Sequence, residues 1–217
     1  MEKYLEEGDL SNEEIERGLH LASIAGKISL IIPIAAAKLL GVREVLDAIV
    51  RFLPSPKDVP AVKGHVPGQD DEVERASDEN APFSALVWKT MADPYVGKLT
   101  LFRVYSGKFV SNGACLNSTK GKVERIGQLY TVKGKTQEPV ASVNAGDIGA
   151  VAKLTDTLTG DTLCKQEEPV VFKAIAFPAP VYSVAVHPKS KGDEDKISSG
   201  LTRLMEEDPT LKVERNA

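Results

Sequence analysis

The sequence has few of the residues that build disulfide frameworks, zinc sites or membrane spans. Its two cysteines, Cys115 and Cys164, are too few for a disulfide scaffold, and we expect both to be buried structural residues. Its three histidines lie far apart, without the paired spacing of a zinc site. The longest apolar run, residues 28–37, contains a serine and a proline and is shorter than the ~20 residues that span a bilayer. No secretory signal opens the chain, so we expect no membrane partner.

The sequence also lacks the motifs of nucleotide hydrolysis. A phosphate-binding loop needs Gly-x-x-x-x-Gly-Lys-Ser/Thr at the start of a helix. Gly134-Lys135-Thr136 has the right ending, but Leu129 stands in place of the first glycine and strand-like residues follow. Neither Asp-x-x-Gly nor Asn-Lys-x-Asp occurs. We therefore interpret residues 134–136 as a hairpin turn and predict that this chain is not an enzyme.

Charge is segregated along the chain, although the formal total is only −4. The first twenty residues and residues 70–79 are strongly acidic, whereas residues 98–135 hold eight bases against one acid, Glu124. A basic stretch of this kind favours a polyanionic partner. The alternative is that these bases are solvated turn residues, balanced in space by acids from elsewhere in the chain.

Residues 1–56 have the pattern of an α/β segment. Ser11 and Glu14 form a Ser-x-x-Glu capping box that predicts the start of a helix, and the apolar spacing of residues 42–52 predicts a second helix. Between them, Lys27–Ile34 is a continuous apolar run, typical of a strand buried in a parallel sheet. One strand does not make a sheet, so we expect its neighbours to lie outside this chain.

The middle of the chain predicts a linker and then a small barrel. Residues 57–81 are rich in proline, glycine and acids and show no periodicity, which is typical of a linker. Residues 82–176 alternate apolar and polar residues in short segments separated by glycine turns, which favours a closed β-barrel. The predicted strands are Ser84–Met91, Lys98–Ser106, Ala114–Leu116, Lys122–Val132, Pro139–Val143, Ile148–Lys153 and Val170–Phe177.

The last segment, residues 177–217, changes pattern again. Residues 180–187 alternate like a strand, Leu201 lies in an amphipathic helix, and a further strand is predicted from Leu211. We expect the partners of this β-α-β unit to lie outside the chain as well.

Long strings of the sequence resemble bacterial elongation factor G. Phe83–Gly113 (FSALVWKTMADPYVGKLTLFRVYSGKFVSNG) resembles the second domain of that family, and Phe177–Arg215 resembles the start of its third domain. Gly41–Pro56 resembles the end of its GTP-binding domain. Further strings that resemble the second domain follow in the family's order: Asn117–Tyr130, Ala145–Leu154 and Thr159–Cys164. The resemblance covers almost the whole chain.

The resemblance implies a mixed, mainly β fold with three parts. A translation-factor-type β-barrel is flanked by an α/β remnant of the GTP-binding domain and by a partial ferredoxin-like β-α-β unit. The chain would then be a fragment that binds no cofactor, with GTP and magnesium held by the full-length parent. Ala35, Ala36 and Lys38 remain from the guanine-contacting loop, where the family usually has Ser-Ala, so Ala35 lacks the hydroxyl that helps to brace this loop.

The resemblance also implies a cytoplasmic protein whose partners are the ribosome and the GTP-binding domain of the same protein. The barrel would contact small-subunit rRNA and couple the GTPase domain to the downstream domains during translocation. Backbone phosphates are bound by lysine and arginine without reading the sequence. The candidate residues for this rRNA contact are Arg103, Lys120, Lys122 and Arg125, with Ser106 and Gly107 shaping the adjacent turn.

A second hypothesis makes the barrel a rigid spacer in a ribosome-recycling or ribosome-protection paralogue, without RNA contact. Asp93–Gly97 and Phe177–Pro180 would then be interfaces to neighbouring domains. Basic residues that cluster on one exposed face would favour rRNA contact. Basic residues that scatter or pair with acids would favour the spacer.

Overall fold

The computed structural model describes residues 2–69, 71–93 and 97–214. The chain divides into two compact units, Met1–Pro60 and Ala61–Ala217. Within the described ranges, no helix is both long enough and apolar enough to cross a membrane.

The described part of the first unit contains three α-helices, α1 (Glu2–Glu7), α2 (Asn12–Ile24) and α3 (Val42–Phe52). The predicted capping box at the start of α2 is confirmed. The Glu14 N–H donates to Ser11 Oγ at 3.3 Å, and the Ser11 N–H donates to Glu14 Oε2 at 2.9 Å. These two bonds satisfy amides that the first turn of a helix leaves without partners.

The strand predicted over Lys27–Ile34 is not formed. The segment is extended but pairs with no described strand, and the Ile31 side chain is 92% exposed. An apolar run becomes a buried strand only when strands on either side bond to its backbone. This prediction is therefore wrong for the chain as it stands, because the described part of the first unit contains no strand.

The described residues of the second unit form thirteen strands and one helix. The strands are β1 (Val62–His65), β2 (Glu72–Arg75), β3 (Ser84–Asp93), β4 (Gly97–Ser106), β5 (Lys108–Val110), β6 (Ala114–Asn117), β7 (Lys122–Arg125), β8 (Leu129–Lys133), β9 (Thr136–Val140), β10 (Ser142–Asn144), β11 (Ile148–Ala152), β12 (Thr162–Cys164) and β13 (Val171–Phe172). Eight of them form one antiparallel sheet in the order β7-β6-β12-β3-β4-β11-β8-β9, and β5 pairs with β10. The predicted strand over Lys122–Val132 is in fact two strands, β7 and β8.

The large sheet curls around its main hydrophobic core, and two smaller buried clusters lie beside it. Phe102, Leu129 and Leu163, from three different strands, are completely buried in the main core. Backbone bonds outside the sheet draw its two ends together: the Asn112 N–H donates to the Gly127 carbonyl at 2.9 Å, and the Ser111 N–H donates to the Ala141 carbonyl at 2.9 Å. The mixed, mainly β fold with a central barrel is thus confirmed.

The predicted turns of the barrel have the expected backbone. Asn112 lies in the left-handed region at φ 59°, which asparagine tolerates. The glycines of the other predicted turns that share a positive φ are Gly107, Gly121, Gly134, Gly146 and Gly160.

The segment predicted as a linker contains two strands. β1 pairs with β2 and also with β13, so that Gly64 faces Phe172 across the ladder. Val62 and Val73 pack against a small second core that includes Phe172 and Cys164. Because β13, the third strand of this sheet, lies more than one hundred residues from β1 in the sequence, local periodicity does not reveal the whole sheet.

After the barrel, the predicted helix is present as α4 (Glu194–Glu207). The two strands expected around it, over residues 180–187 and from Leu211, are not formed. These segments are extended without a described partner strand, and Val181 is 99% exposed. The alternating pattern predicts strands here, but a strand needs a neighbour to form.

Candidate nucleic-acid interface

The two predicted arginines are exposed on different parts of the barrel. Arg103 lies in β4, where its register partners are Leu86 and Ile148, and Arg125 ends β7 opposite Ala114. Among the described residues, neither side chain makes an ion pair. Three strands separate β4 from β7 in the sheet order, so the two arginines do not form one cluster.

Lys120 is held by the protein. It lies in the tip of the β6–β7 hairpin, where its Nζ is 3.1 Å from Asp161 Oδ2, and it also donates to the Asp156 carbonyl. The Asp161 side chain is only 8% exposed, and that of Lys120 only 30%. Lys120 therefore neutralises a carboxylate that the fold buries.

Lys122 is also paired, but at the surface. Its Nζ bonds to Asp156 Oδ1, and the two side chains are 57% and 39% exposed. An exposed ion pair of this kind contributes little to stability, about 0–1 kcal/mol. Lys122 thus differs from Lys120 in its partner: the ion pair of Lys122 is exposed to solvent, whereas that of Lys120 involves a buried carboxylate.

A buried polar network joins the β6–β7 hairpin to the loop before β12. The buried Asn117 side-chain amide donates to Asp161 Oδ2 at 2.9 Å and to Thr157 Oγ1 at 3.2 Å. The buried Glu124 carboxylate accepts bonds from the Asp156 N–H and the Thr157 hydroxyl, both at 2.8 Å. The prediction of RNA contacts in this hairpin overlooked these residues, because the partners lie 32 to 44 residues away in the sequence.

Ser106 and Gly107, which were predicted to shape the turn beside the RNA contact, are both buried. The Ser106 hydroxyl is fully buried, lies 2.6 Å from Ser84 Oγ and donates to the Pro82 carbonyl at 2.6 Å. A Cβ on Gly107 would lie 2.5 Å from the Ala81 carbonyl oxygen. Both residues shape the chain where β4 passes into β5.

The predicted guanine-loop residues form a tight exposed loop in the first unit. The Ala35 N–H donates to the Leu40 carbonyl at 3.0 Å, and the Leu40 N–H returns a bond to Ala35 at 3.3 Å. Ala36–Lys38 is a single 3₁₀ turn inside this loop. These residues therefore make a closed backbone loop whose side chains face solvent.

The described residues do not fit the phosphate and metal part of a GTP site. Gly134-Lys135-Thr136 is the turn of the β8–β9 hairpin, and β9 begins at Thr136 in place of the helix that would bind phosphate. No group of three or more His, Cys, Asp or Glu residues within the described ranges is arranged to hold a metal ion.

Two family models match the chain one after the other. The model of elongation factor G domain 2 matches residues 82–166, and that of elongation factor G domain III matches residues 177–217. The chain belongs to the elongation factor G family. A crystal structure of a protein from Thermus thermophilus is similar to this elongation factor G-like chain, with 29% sequence identity and a TM-score of 0.77. The similarity covers 99% of the length of the present chain. The chain spans 30% of the length of that structure.

The family assignment gives the barrel and the C-terminal segment their identities. The barrel is the second domain, α4 lies in the segment matched to domain III, and neither is the GTP-hydrolysing domain of this family of translation elongation factors. Residues 94–96, inside the predicted Asp93–Gly97 interface, lie outside the described residues.

Proposed function

We propose that this elongation factor G-like chain is the ribosome-docking body of a translation factor. In this proposal the barrel contacts small-subunit rRNA through Arg103 and Arg125 and couples a GTP-binding domain to the domains that follow. The parent protein hydrolyses GTP with magnesium in that other domain. Ala35, Ala36 and Lys38 belong to the loop that contacts the guanine there.

The proposed rRNA contact is supported by one observation: Arg103 and Arg125 make no ion pair within the described residues. Both are exposed, and neither side chain is neutralised by an acid within the described residues. An arginine fork binds phosphate oxygens in two places at once and is always charged. Phosphate contacts of this kind position a protein on an RNA backbone without reading its sequence.

The test is binding of the 217-residue chain to purified bacterial small ribosomal subunits over a range of salt concentrations. We expect Arg103→Glu and Arg125→Glu each to weaken binding and to make the salt dependence shallower by about one unit of slope or more. Arg43→Glu in α3 is the matched control, because it changes the net charge equally in the other unit. Equal effects of all three variants would refute a contact at the barrel arginines.

The second candidate function is a rigid spacer in a recycling or protection paralogue. Two observations favour it: Lys120 and Lys122 both bond to acids of the same chain, and Arg103 and Arg125 do not form one cluster. A spacer predicts that charge reversal at Arg103 and Arg125 leaves subunit binding unchanged. The same salt titration therefore separates the two functions.

A further inference from the structure

Two neighbouring lysines at the tip of the β6–β7 hairpin are held in unequal ways. Lys120 neutralises the buried Asp161, whose Oδ2 also accepts bonds from Asn117 and Leu158. Withdrawing Lys120 would leave a buried carboxylate without its cation, which is costly. Lys122 instead pairs with a partly exposed carboxylate, Asp156, from which it is released at little cost.

Asp156 itself is fixed by its backbone, independently of its side chain. Its N–H donates to Glu124 Oε1 at 2.8 Å, and its carbonyl accepts from Lys120. Only the carboxylate of Asp156 is used to hold Lys122. The side-chain ion pair can open while the loop and Lys120 keep their positions.

We infer that Lys122 is a phosphate-binding residue masked by Asp156. In the free chain the Asp156 carboxylate forms an ion pair with the Lys122 ammonium. On docking, a backbone phosphate of the RNA replaces this carboxylate as the partner of Lys122. Lys120 keeps its structural role and holds the hairpin tip in position. The inference rests on the proposed docking function. It adds Lys122 as a residue that contacts phosphate only after its ion pair with Asp156 has opened.

Asp156→Asn tests the mask, because it removes the carboxylate charge and leaves the backbone bonds to Glu124 and Lys120 in place. We expect the variant to bind purified bacterial small ribosomal subunits roughly two- to fivefold more tightly, the change that release of a surface ion pair allows. We expect the salt dependence to keep the wild-type slope, because Lys122 neutralises the same phosphate in the docked state of both chains.

Glu138→Gln is the matched control. It releases Lys133 from an exposed ion pair with a 3.2 Å separation in the β8–β9 hairpin and changes the net charge equally. The second test is Lys122→Gln added to Asp156→Asn, which we expect to abolish the gain in affinity. A gain that survives in this double variant would overturn the inference, as would equal gains in Asp156→Asn and Glu138→Gln.

The same experiments distinguish failure of the proposed function from failure of the inference about Lys122. If Arg103→Glu and Arg125→Glu weaken binding while Asp156→Asn behaves like its control, the docking function stands and the mask falls. If Asp156→Asn gains affinity through Lys122 while the arginine variants match their control, the mask stands and the arginine contact falls. If neither the wild-type chain nor Asp156→Asn binds the subunits, both are refuted.

Discussion

The ammonium of Lys120 lies 3.1 Å from the buried Oδ2 of Asp161. One base of the strongly basic stretch is therefore used inside the fold. Asn117 donates to the same carboxylate oxygen, so that the hairpin tip and the loop before β12 are joined through one atom. Local charge in a sequence thus overstates the charge that a protein offers to a partner.

This contact predicts a large cost for removing the lysine. Lys120→Met leaves the buried Asp161 without its cation, and we expect the free energy of unfolding of the barrel to fall by about 1–3 kcal/mol. Urea unfolding followed by the fluorescence of Trp88, the single tryptophan, measures the change. Lys133→Met removes an exposed ion pair and should cost less than about 0.5 kcal/mol. Equal costs for the two variants would contradict a structural role for Lys120.

Gly64 predicts a steric effect on the small sheet. A Cβ at this position would lie 2.6 Å from Val170 Cγ2 and 2.7 Å from the Val171 carbonyl oxygen, so Gly64→Ala should force β1 and β13 apart. We expect a cost of about 1–3 kcal/mol and faster hydrogen exchange at the amides of β1 and β13. Gly113→Ala is the control, because its nearest contact is 3.6 Å away. Unchanged exchange in β13 would show that β1 can absorb the methyl group.

The Cys115 thiol predicts a loss of stability at high pH. Burial, with smaller contributions from Cys164 and Glu124, raises the pKa of Cys115 from 9.0 to about 12. Between these values the unfolded chain loses the proton while the folded chain keeps it, so stability falls as pH rises. We expect the stability of the wild type relative to Cys115→Ala to be constant below about pH 9 and to fall by about 1.4 kcal/mol per pH unit above it. A difference that stays flat up to about pH 11, measured by urea unfolding, would contradict this assignment.

The capping box of α2 predicts a local effect in the first unit. Ser11→Ala removes the hydroxyl that accepts from the Glu14 N–H, and we expect it to weaken α2 by about 1 kcal/mol. Hydrogen exchange of the α2 amides reports this opening. Ser23→Ala, near the other end of the same helix, replaces a residue whose side chain makes no cap bond and should leave the exchange rates the same or slower. Equal acceleration in both variants would mean that the cap does not hold the helix start.

Sequence patterns predicted the elements whose causes are local. The capping box of Ser11 and Glu14, the glycine turns and the long strands β3 and β4 depend on neighbouring residues, and the structure contains all of them. The barrel follows from many short alternating segments between tight turns, and the family motifs identified it independently.

Distant pairing explains what the sequence patterns missed. β1 and β2 are short, and the sheet that they form is completed by the distant strand β13, while Lys27–Ile34 has a strand pattern but no described partner in this chain. The same reasoning applies to the candidate site. The charge pattern predicted the same role for two lysines and two arginines: Lys120, Lys122, Arg103 and Arg125. In the structure the two lysines form ion pairs with Asp161 and Asp156, and the two arginines form none within the described residues.

The antiparallel pairing of β1 with β13 places His65 directly opposite Val171, so the chain that leads into the barrel and the chain that leaves it lie side by side. A module whose two ends meet can be spliced into a loop of another protein without stretching its host. The segments of chain that precede and follow the barrel are therefore attached to it at one place.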